Sequence, residues 1–233
     1  MSGGLNRRFL QNPAEFLKKN LVLQDRFDGR FGRRINPFIG DFTFKPAKTY
    51  DGGPQTAVKL LETGEYQPIP VVELDRYDNS GARRHSHPIK AHYLPYMSGR
   101  VLCASLTGDP KFMFTHSLSG CQFGIGGNGH RGDVKVMHIA AGLTEDQKGR
   151  LARDHLGNLC RFYIREFYSS LGNANIFGFK TGSNEWQFQA QAYEQRAMHE
   201  QRLQHEQRAE ASNPRRHNVP DVDYICQYTD QQV

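Results

Sequence analysis

One cysteine and one histidine near the middle of the chain have the residue types and setting that nucleophilic acyl chemistry requires. Cys121 follows Ser119 and Gly120, and a glycine directly before a thiol lets the backbone turn tightly enough to expose the sulfur. His138 lies in an apolar run typical of a β-strand. A thiol and an imidazole that the fold brings together can attack and hydrolyse an amide. Both could equally be core residues, because a buried cysteine is usually inert.

Two other histidines compete with His138 as the partner of Cys121. His116 lies five residues before the cysteine, and His130 lies in the glycine-rich loop between Cys121 and His138. A glycine-rich loop positions a base poorly, because its backbone has many accessible conformations. His138, on its predicted strand, is therefore the predicted base.

Three further sequence matches lack the setting that their usual functions need. Residues 124–129 match the dinucleotide-binding pattern G-x-G-x-x-G, but a strand-like run follows where that site requires a helix. Residues 131–133 spell Arg-Gly-Asp, which is short enough to arise by chance. His85 and His87 have no adjacent acidic or thiol ligand, so no metal site is predicted there. The other cysteines form no C-x-x-C pair and are predicted to be core residues: Cys103, Cys160 and Cys226.

The residues around Cys121 and His138 resemble those of a known family. Thr115 lies six residues before the cysteine in the run THSLSGC, and His138 lies on the following predicted strand in the run VMHI. This pattern is similar to that of the bacterial toxin deamidases grouped around Burkholderia lethal factor 1. That group includes the catalytic domain of cytotoxic necrotizing factors and the chemotaxis deamidase CheD. The run 91–106 also resembles the strand-turn-strand before the lethal factor's motif, so the likeness covers about residues 90–141.

This resemblance implies a fold, a reaction and a set of site residues. The implied fold is α+β, with two packed mixed β-sheets and flanking helices. The implied reaction converts a glutamine of a target protein to glutamate, with Cys121 as nucleophile, His138 as base and Thr115 orienting the imidazole. Backbone N–H groups of Gly120 and Cys121 would form the oxyanion hole, and no metal or organic cofactor is needed.

The resemblance also implies a host protein as substrate. A Rho-family GTPase and the translation-initiation helicase are the precedents among the relatives, and a monomeric toxin or effector is expected. Residues 1–8 are followed by only two apolar residues before polar ones, so delivery to the host cytoplasm without a classical signal peptide is expected. No apolar run is long enough to predict a membrane span.

Composition leaves other function classes open. The 233-residue chain has a net charge of +6, which permits an acidic partner, an anionic surface or nucleic acid. Its basic residues are clustered and are not interleaved with aromatic residues, so nucleic-acid binding is not expected and stands as the non-enzymatic alternative. A cysteine protease or a transglutaminase would use the same Cys–His pair and is the enzymatic alternative.

Short strands are predicted to position the candidate residues. Alternating and apolar runs predict strands between residues 41 and 139, including 112–115 before Cys121 and 134–139 after it. Asn12-Pro13 is typical of a helix start.

A second helix is predicted from a capping box at residues 144–147. Its apolar spacing continues through Cys160, Tyr163 and Phe167, so the predicted end lies near Gly172. We predict one catalytic domain over residues 1–193, with a helix and loop over 1–40 and a β-rich core over 41–193. The polar residues 194–233 are predicted to be a helical or irregular extension.

Overall fold

A computed structural model of the protein describes residues 3–24, 36–77, 87–127, 134–157, 161–163, 171–182, 185–201 and 221–229. In this part of the chain the helices are α1 (Gly3–Gln11), α2 (Pro13–Lys19) and α3 (Glu145–Leu156), and residues 196–201 are also helical. The strands are β1 (Leu21–Leu23), β2 (Phe38–Pro46), β3 (Thr56–Leu60), β4 (Tyr66–Arg76), β5 (Ile89–Leu94), β6 (Val101–Ser105), β7 (Phe112–Thr115), β8 (Gln122–Gly127), β9 (Val134–Ile139), β10 (Arg161–Tyr163), β11 (Asn173–Lys180), β12 (Trp186–Gln195) and β13 (Tyr224–Thr229). Among the described helices, none combines the length and the apolar character that crossing a membrane requires.

Eight strands close into a barrel in the order β4-β2-β5-β7-β11-β12-β13-β3, and β3 pairs back onto β4. β1 pairs in parallel with β4 as a ninth strand of the same sheet. The prediction of an α+β fold with two packed sheets and flanking helices is therefore wrong. The described chain is mostly β, with 49% of it in strands and few helices, and its larger sheet is closed. Periodicity predicted several of the strands, including β7 and β9, but β8 lies where the sequence indicated a glycine-rich loop, and closure depends on pairings between strands far apart in sequence.

The strand β13 completes the barrel near the end of the chain. It pairs antiparallel with β12 and parallel with β3. Its residues Ile225 and Cys226 are buried, and β12 itself continues to Gln195. This part of residues 194–233 belongs to the barrel and differs from the predicted extension. A six-residue run with only four apolar residues, in a polar region, gave too weak a signal for a strand.

The N-terminal helices pack on the inward face of the barrel. The helix predicted at Asn12-Pro13 is confirmed as α2, because the Asn12 side chain accepts a hydrogen bond from the N–H of Glu15. Phe9 of α1 contacts Phe44 on β2 and Phe114 on β7, with ring centroids 5.0 and 5.9 Å away. Because β5 separates these two strands, a ring that contacts both lies on the concave side of the sheet.

Two barrel side chains hold the segment that follows α2. Gln191 Nε2 donates to the carbonyl oxygens of Leu17 and Asn20, each at 2.6 Å, and Gln191 Oε1 accepts from the Val22 N–H at 3.0 Å. Asn175 Nδ2 donates to the Val22 carbonyl oxygen at 2.6 Å. These bonds satisfy backbone groups that would otherwise be buried without partners.

A four-stranded sheet, in the order β10-β8-β9-β6, packs against the outward face of the barrel. Its residues Phe123 and Val136 share a core cluster with Phe188 of β12. Its opposite face packs on α3, where Met137 is buried with Leu156. The sheet is therefore enclosed between the barrel and one helix.

The helix α3 begins as predicted and ends earlier than predicted. Both hydrogen bonds of the capping box between Thr144 and Gln147 are present, which confirms the predicted start. The helix ends at Leu156, because Gly157 has a positive φ of 84°. A Cβ on Gly126 would lie 2.5 Å from the Leu156 carbonyl oxygen, so only glycine at this position of β8 lets the helix end approach the sheet.

The apolar positions beyond Gly157 do not continue the helix. Tyr163, which extended the predicted apolar face, is in β10 and pairs with Phe123 of β8. The predicted positions Cys160 and Phe167 lie outside the described residues.

Candidate active site

Cys121 lies at the end of the loop between β7 and β8, and backbone structure holds this loop on both sides of the cysteine. Before it, Leu118 and Ala174 exchange two backbone hydrogen bonds of 2.7 and 2.9 Å, which tie the loop to the barrel. Gly120 has a φ of 77°, a left-handed conformation that strongly favours glycine. After it, β8 begins at Gln122. The tight turn predicted at Ser119-Gly120 is present, but Cys121 is only 3% exposed.

Burial determines the protonation state of the Cys121 thiol. Loss of solvation raises its pKa above the ordinary cysteine value, and backbone hydrogen bonds from Ala141 and Ser119 oppose this effect. The thiol is therefore protonated at neutral pH in this closed arrangement.

His138 lies in the centre of the four-stranded sheet. It pairs with Leu102 of β6 on one side and with Phe123 of β8 on the other. It is 2% exposed, and neither ring nitrogen has a hydrogen-bond partner among the described residues. Desolvation and the neighbouring His116 lower the pKa of His138 to about 3, so its ring is neutral at physiological pH.

The strand pairing places Cys121 and His138 on the same face of the sheet. Gln122 pairs with Ile139, so Cys121 lies opposite Ala140, and the hydrogen bond of its sulfur to Ala141 agrees with this position. His138 is two residues from Ala140 and points to the same side as Cys121. Diagonal neighbours in such a pair lie roughly 7–8 Å apart.

Thr115 faces the same layer from the barrel. It is the last residue of β7, where it pairs with Leu94, and it lies on the same side of the strand as Met113. Leu94 and Met113 belong to the core cluster that contains Cys121. Thr115 is fully buried, and its hydroxyl has no partner among the described residues. All three predicted side chains therefore face the layer between the barrel and the four-stranded sheet.

Sequence reasoning missed Tyr96. This residue follows β5, and its ring contacts His138 at 5.5 Å and His116 at 5.6 Å between centroids, the latter pair nearly parallel at 19°. His116, a competing base in the sequence, is half-buried next to Thr115. A tyrosine in a turn carries no local signal of a contact with a strand that lies some forty residues later in the chain.

The other sequence matches do not form sites in the described chain. Residues 124–127 of the glycine pattern belong to β8, so no helix starts there as dinucleotide binding requires. No group of three or more His, Cys, Asp or Glu residues suited to a metal ion occurs among the described residues. The competing base His130, His85 and the Arg-Gly-Asp run at 131–133 lie outside them.

The comparison with known proteins adds no relative to this picture. Neither a scan against protein-family models nor a search of curated proteins finds a match to the chain. The likeness to toxin deamidases therefore rests on the motif residues Cys121, His138 and Thr115 themselves.

Proposed function

We propose that the protein is a protein-glutamine deamidase that uses Cys121 as nucleophile and His138 as base. The observation that carries this proposal is the buried, unpartnered polar groups around the thiol. Both His138 nitrogens and the Thr115 hydroxyl lie in the layer that contains Cys121, and none has a partner in the described chain. Buried polar groups in folded proteins are almost always hydrogen-bonded, so unpartnered ones call for a role such as catalysis.

The proposed reaction is acyl transfer in two halves. The sulfur of Cys121 attacks the side-chain carbonyl carbon of a glutamine, and the thiol proton passes to a ring nitrogen of His138. The imidazole then protonates the departing nitrogen, so that the C–N bond breaks and ammonia leaves a thioester. Next, His138 takes a proton from water as the water oxygen attacks the thioester. The C–S bond breaks, the thiol is reprotonated, and glutamate is released.

Thr115 and the backbone before the thiol have supporting roles in this proposal. The Thr115 hydroxyl accepts a hydrogen bond from His138 when the ring carries the extra proton, and this bond orients the imidazole. N–H groups of Gly120 and Cys121 stabilise the oxyanion, an interaction whose loss typically lowers rates by about 10²–10³-fold. No step requires a metal or an organic cofactor.

The closed site needs access for solvent or substrate before this chemistry starts. A His138 pKa of about 3 disfavours the imidazolium, and each unit of pKa corresponds to about 1.4 kcal/mol. A hydrated or substrate-filled site relieves part of this desolvation. The proposed substrate is an exposed glutamine on a host protein, with a Rho-family GTPase and the translation-initiation helicase as candidates. Action of a monomer in the host cytoplasm belongs to the same proposal.

The test is ammonia release together with mass spectrometry of candidate proteins and of cell lysate. We expect wild-type protein to convert glutamine to glutamate, and Cys121→Ser to lower the rate by about 10³-fold or more, because a serine hydroxyl is a much weaker nucleophile than a thiol. Cys103→Ser is the matched control, since Cys103 lies on β6 of the same sheet and packs toward α3. We expect it to retain activity.

Other products would identify other functions. Chain cleavage that depends on Cys121 would indicate a protease, and incorporation of an added primary amine would indicate a transglutaminase. Equal activity of wild-type and Cys121→Ser protein would contradict the assignment. Salt-dependent nucleic-acid binding that survives this substitution would favour the binding-module alternative.

A further inference from the structure

Access to the two candidate catalytic groups depends on what covers them. Cys121 is 3% exposed and His138 is 2% exposed, so a glutamine side chain cannot reach either group in this conformation. A cover must therefore move for the proposed reaction to occur, and the side chains that touch His138 from the solvent side are the candidates.

Tyr96 has the position that a cover requires. Of the large apolar side chains exposed in the described chain, it is the one with a ring contact to a candidate catalytic residue, and it is 39% exposed. Its ring combines partial exposure to solvent with a contact to His138 and a stacking contact with His116. The same ring therefore contacts a candidate catalytic residue and meets solvent.

The backbone around Tyr96 allows the ring to move while its neighbours stay in place. Met97 is partly buried against the core cluster that contains Cys121, and its carbonyl oxygen accepts a 3.2 Å hydrogen bond from the Arg100 N–H. Gly99, at a φ of 69°, completes this turn. On the other side, Leu94 is buried in β5. Within the described chain, a rotation about the Tyr96 side-chain bonds would break its ring contacts with His116 and His138 and no strand pairing.

We infer that Tyr96 is a movable cover whose rotation away from His116 and His138 opens the route by which a glutamine side chain reaches the reactive pair. This inference rests on the proposed function for its biological meaning. The opening exposes His138 to water, which favours the protonated imidazole that the mechanism needs. His116, the other described ring that Tyr96 contacts, gains solvent at the same time.

The test measures access to Cys121 without requiring turnover. Wild-type, Tyr96→Ala and Tyr96→Phe proteins are treated with iodoacetamide at a fixed pH, and alkylation of each cysteine is followed by peptide mass spectrometry. We expect Tyr96→Ala to react at Cys121 at least about tenfold faster, equivalent to lowering the free energy of opening by about 1.4 kcal/mol. Tyr96→Phe keeps the ring and should react at the wild-type rate.

Two internal controls separate a local cover from general loosening. The half-buried Cys103 reports unfolding of the same sheet, and its rate should not change. Tyr50→Ala removes a fully exposed tyrosine from the turn between Lys48 and Gly53, and it should leave Cys121 protected. As a second measurement, NMR titration of the His138 ring should show its pKa rising toward the ordinary value in Tyr96→Ala.

The possible outcomes test the cover and the proposed function separately. Equal alkylation of Cys121 in wild-type and Tyr96→Ala proteins, or equal acceleration at Cys121 and Cys103, overturns the cover even if Cys121 proves essential for deamidation. Conversely, a wild-type protein that deamidates nothing overturns the proposed function and leaves the alkylation result for Tyr96 standing.

Discussion

Two buried amide side chains that bind the N-terminal segment to the barrel differ in hydrogen bonding from two buried polar side chains in the layer between the barrel and the four-stranded sheet. Gln191 of the barrel binds three backbone groups of the N-terminal segment, and Asn6 of α1 binds the Phe44 N–H, the Thr43 hydroxyl and the His87 carbonyl oxygen. In the layer outside, His138 and the Thr115 hydroxyl make no hydrogen bond within the described chain.

This difference separates polar groups that stabilise the fold from polar groups that the fold leaves available. A bonded amide such as Gln191 offsets its own desolvation by satisfying the backbone of the N-terminal segment. An unbonded imidazole costs free energy at its site, and a protein retains it where another molecule supplies the partner. Other buried polar atoms in the described chain also lack a partner, among them His92 Nε2 and Gln189 Oε1, but neither of these two residues belongs to the sequence motif around Cys121 as His138 and Thr115 do.

The largest expected effect on stability comes from removing a bonded group inside the barrel. Gln191→Leu would leave the Leu17 and Asn20 carbonyl oxygens and the Val22 N–H without their partner. Each unsatisfied buried group costs about 1–3 kcal/mol, and local rearrangement of the structure recovers part of the sum. We therefore expect the free energy of unfolding to fall by about 3–5 kcal/mol. Urea unfolding measures this change. A loss below about 1 kcal/mol would remove the distinction between the two regions.

An intermediate effect is expected from pH at His138. Its pKa is about 3 in the folded protein and close to 6.5 when unfolded, so the unfolded state binds the extra proton between these values. The stability that depends on neutral His138 is complete above pH 6.5 and is lost as the pH falls toward 3. Between pH 7 and pH 5, His138 should account for about 2 kcal/mol of lost stability.

The variant His138→Leu isolates this contribution. From pH 7 to pH 5, the free energy of unfolding of this variant should fall by about 2 kcal/mol less than that of the wild type. Equal slopes in the two proteins would show that His138 does not stay neutral and buried.

The smallest expected effect is that of the same substitution at neutral pH. His138→Leu should leave the free energy of unfolding within about 1 kcal/mol of the wild-type value, or raise it, because no hydrogen bond within the described chain is broken and an unpartnered polar group is removed. Deamidase activity should be lost at the same time. A loss of several kcal/mol would place His138 with Gln191 as a structural residue.

Local sequence signals predicted the elements that carry the site. The runs at 112–115 and 134–139 correspond to β7 and β9, and the glycine before Cys121 takes the expected left-handed turn. These features depend on alternation and backbone conformation, which residues encode over short distances. The same is true of the Thr144 cap that starts α3.

Features that depend on distant contacts were not predicted. The spacing of apolar residues indicated a longer helix, but the approach of Gly126 to Leu156 and the left-handed Gly157 end α3 early. The Tyr96 contact with His138 joins a turn to a strand across the sheet. Barrel closure joins β3 and β13, whose paired residues Ala57 and Tyr224 lie far apart in sequence.

The position of β13 also determines when the protein can become complete during synthesis. The strands of the four-stranded sheet and the N-terminal helices leave the ribosome first, but the barrel stays open until Tyr224–Thr229 inserts between β12 and β3. Until then, barrel edges that later pair are exposed to other chains. Deletion of Tyr224–Thr229, or slow translation of this segment, would therefore favour an aggregation-prone intermediate in which the barrel sheet that carries Thr115 is not yet closed.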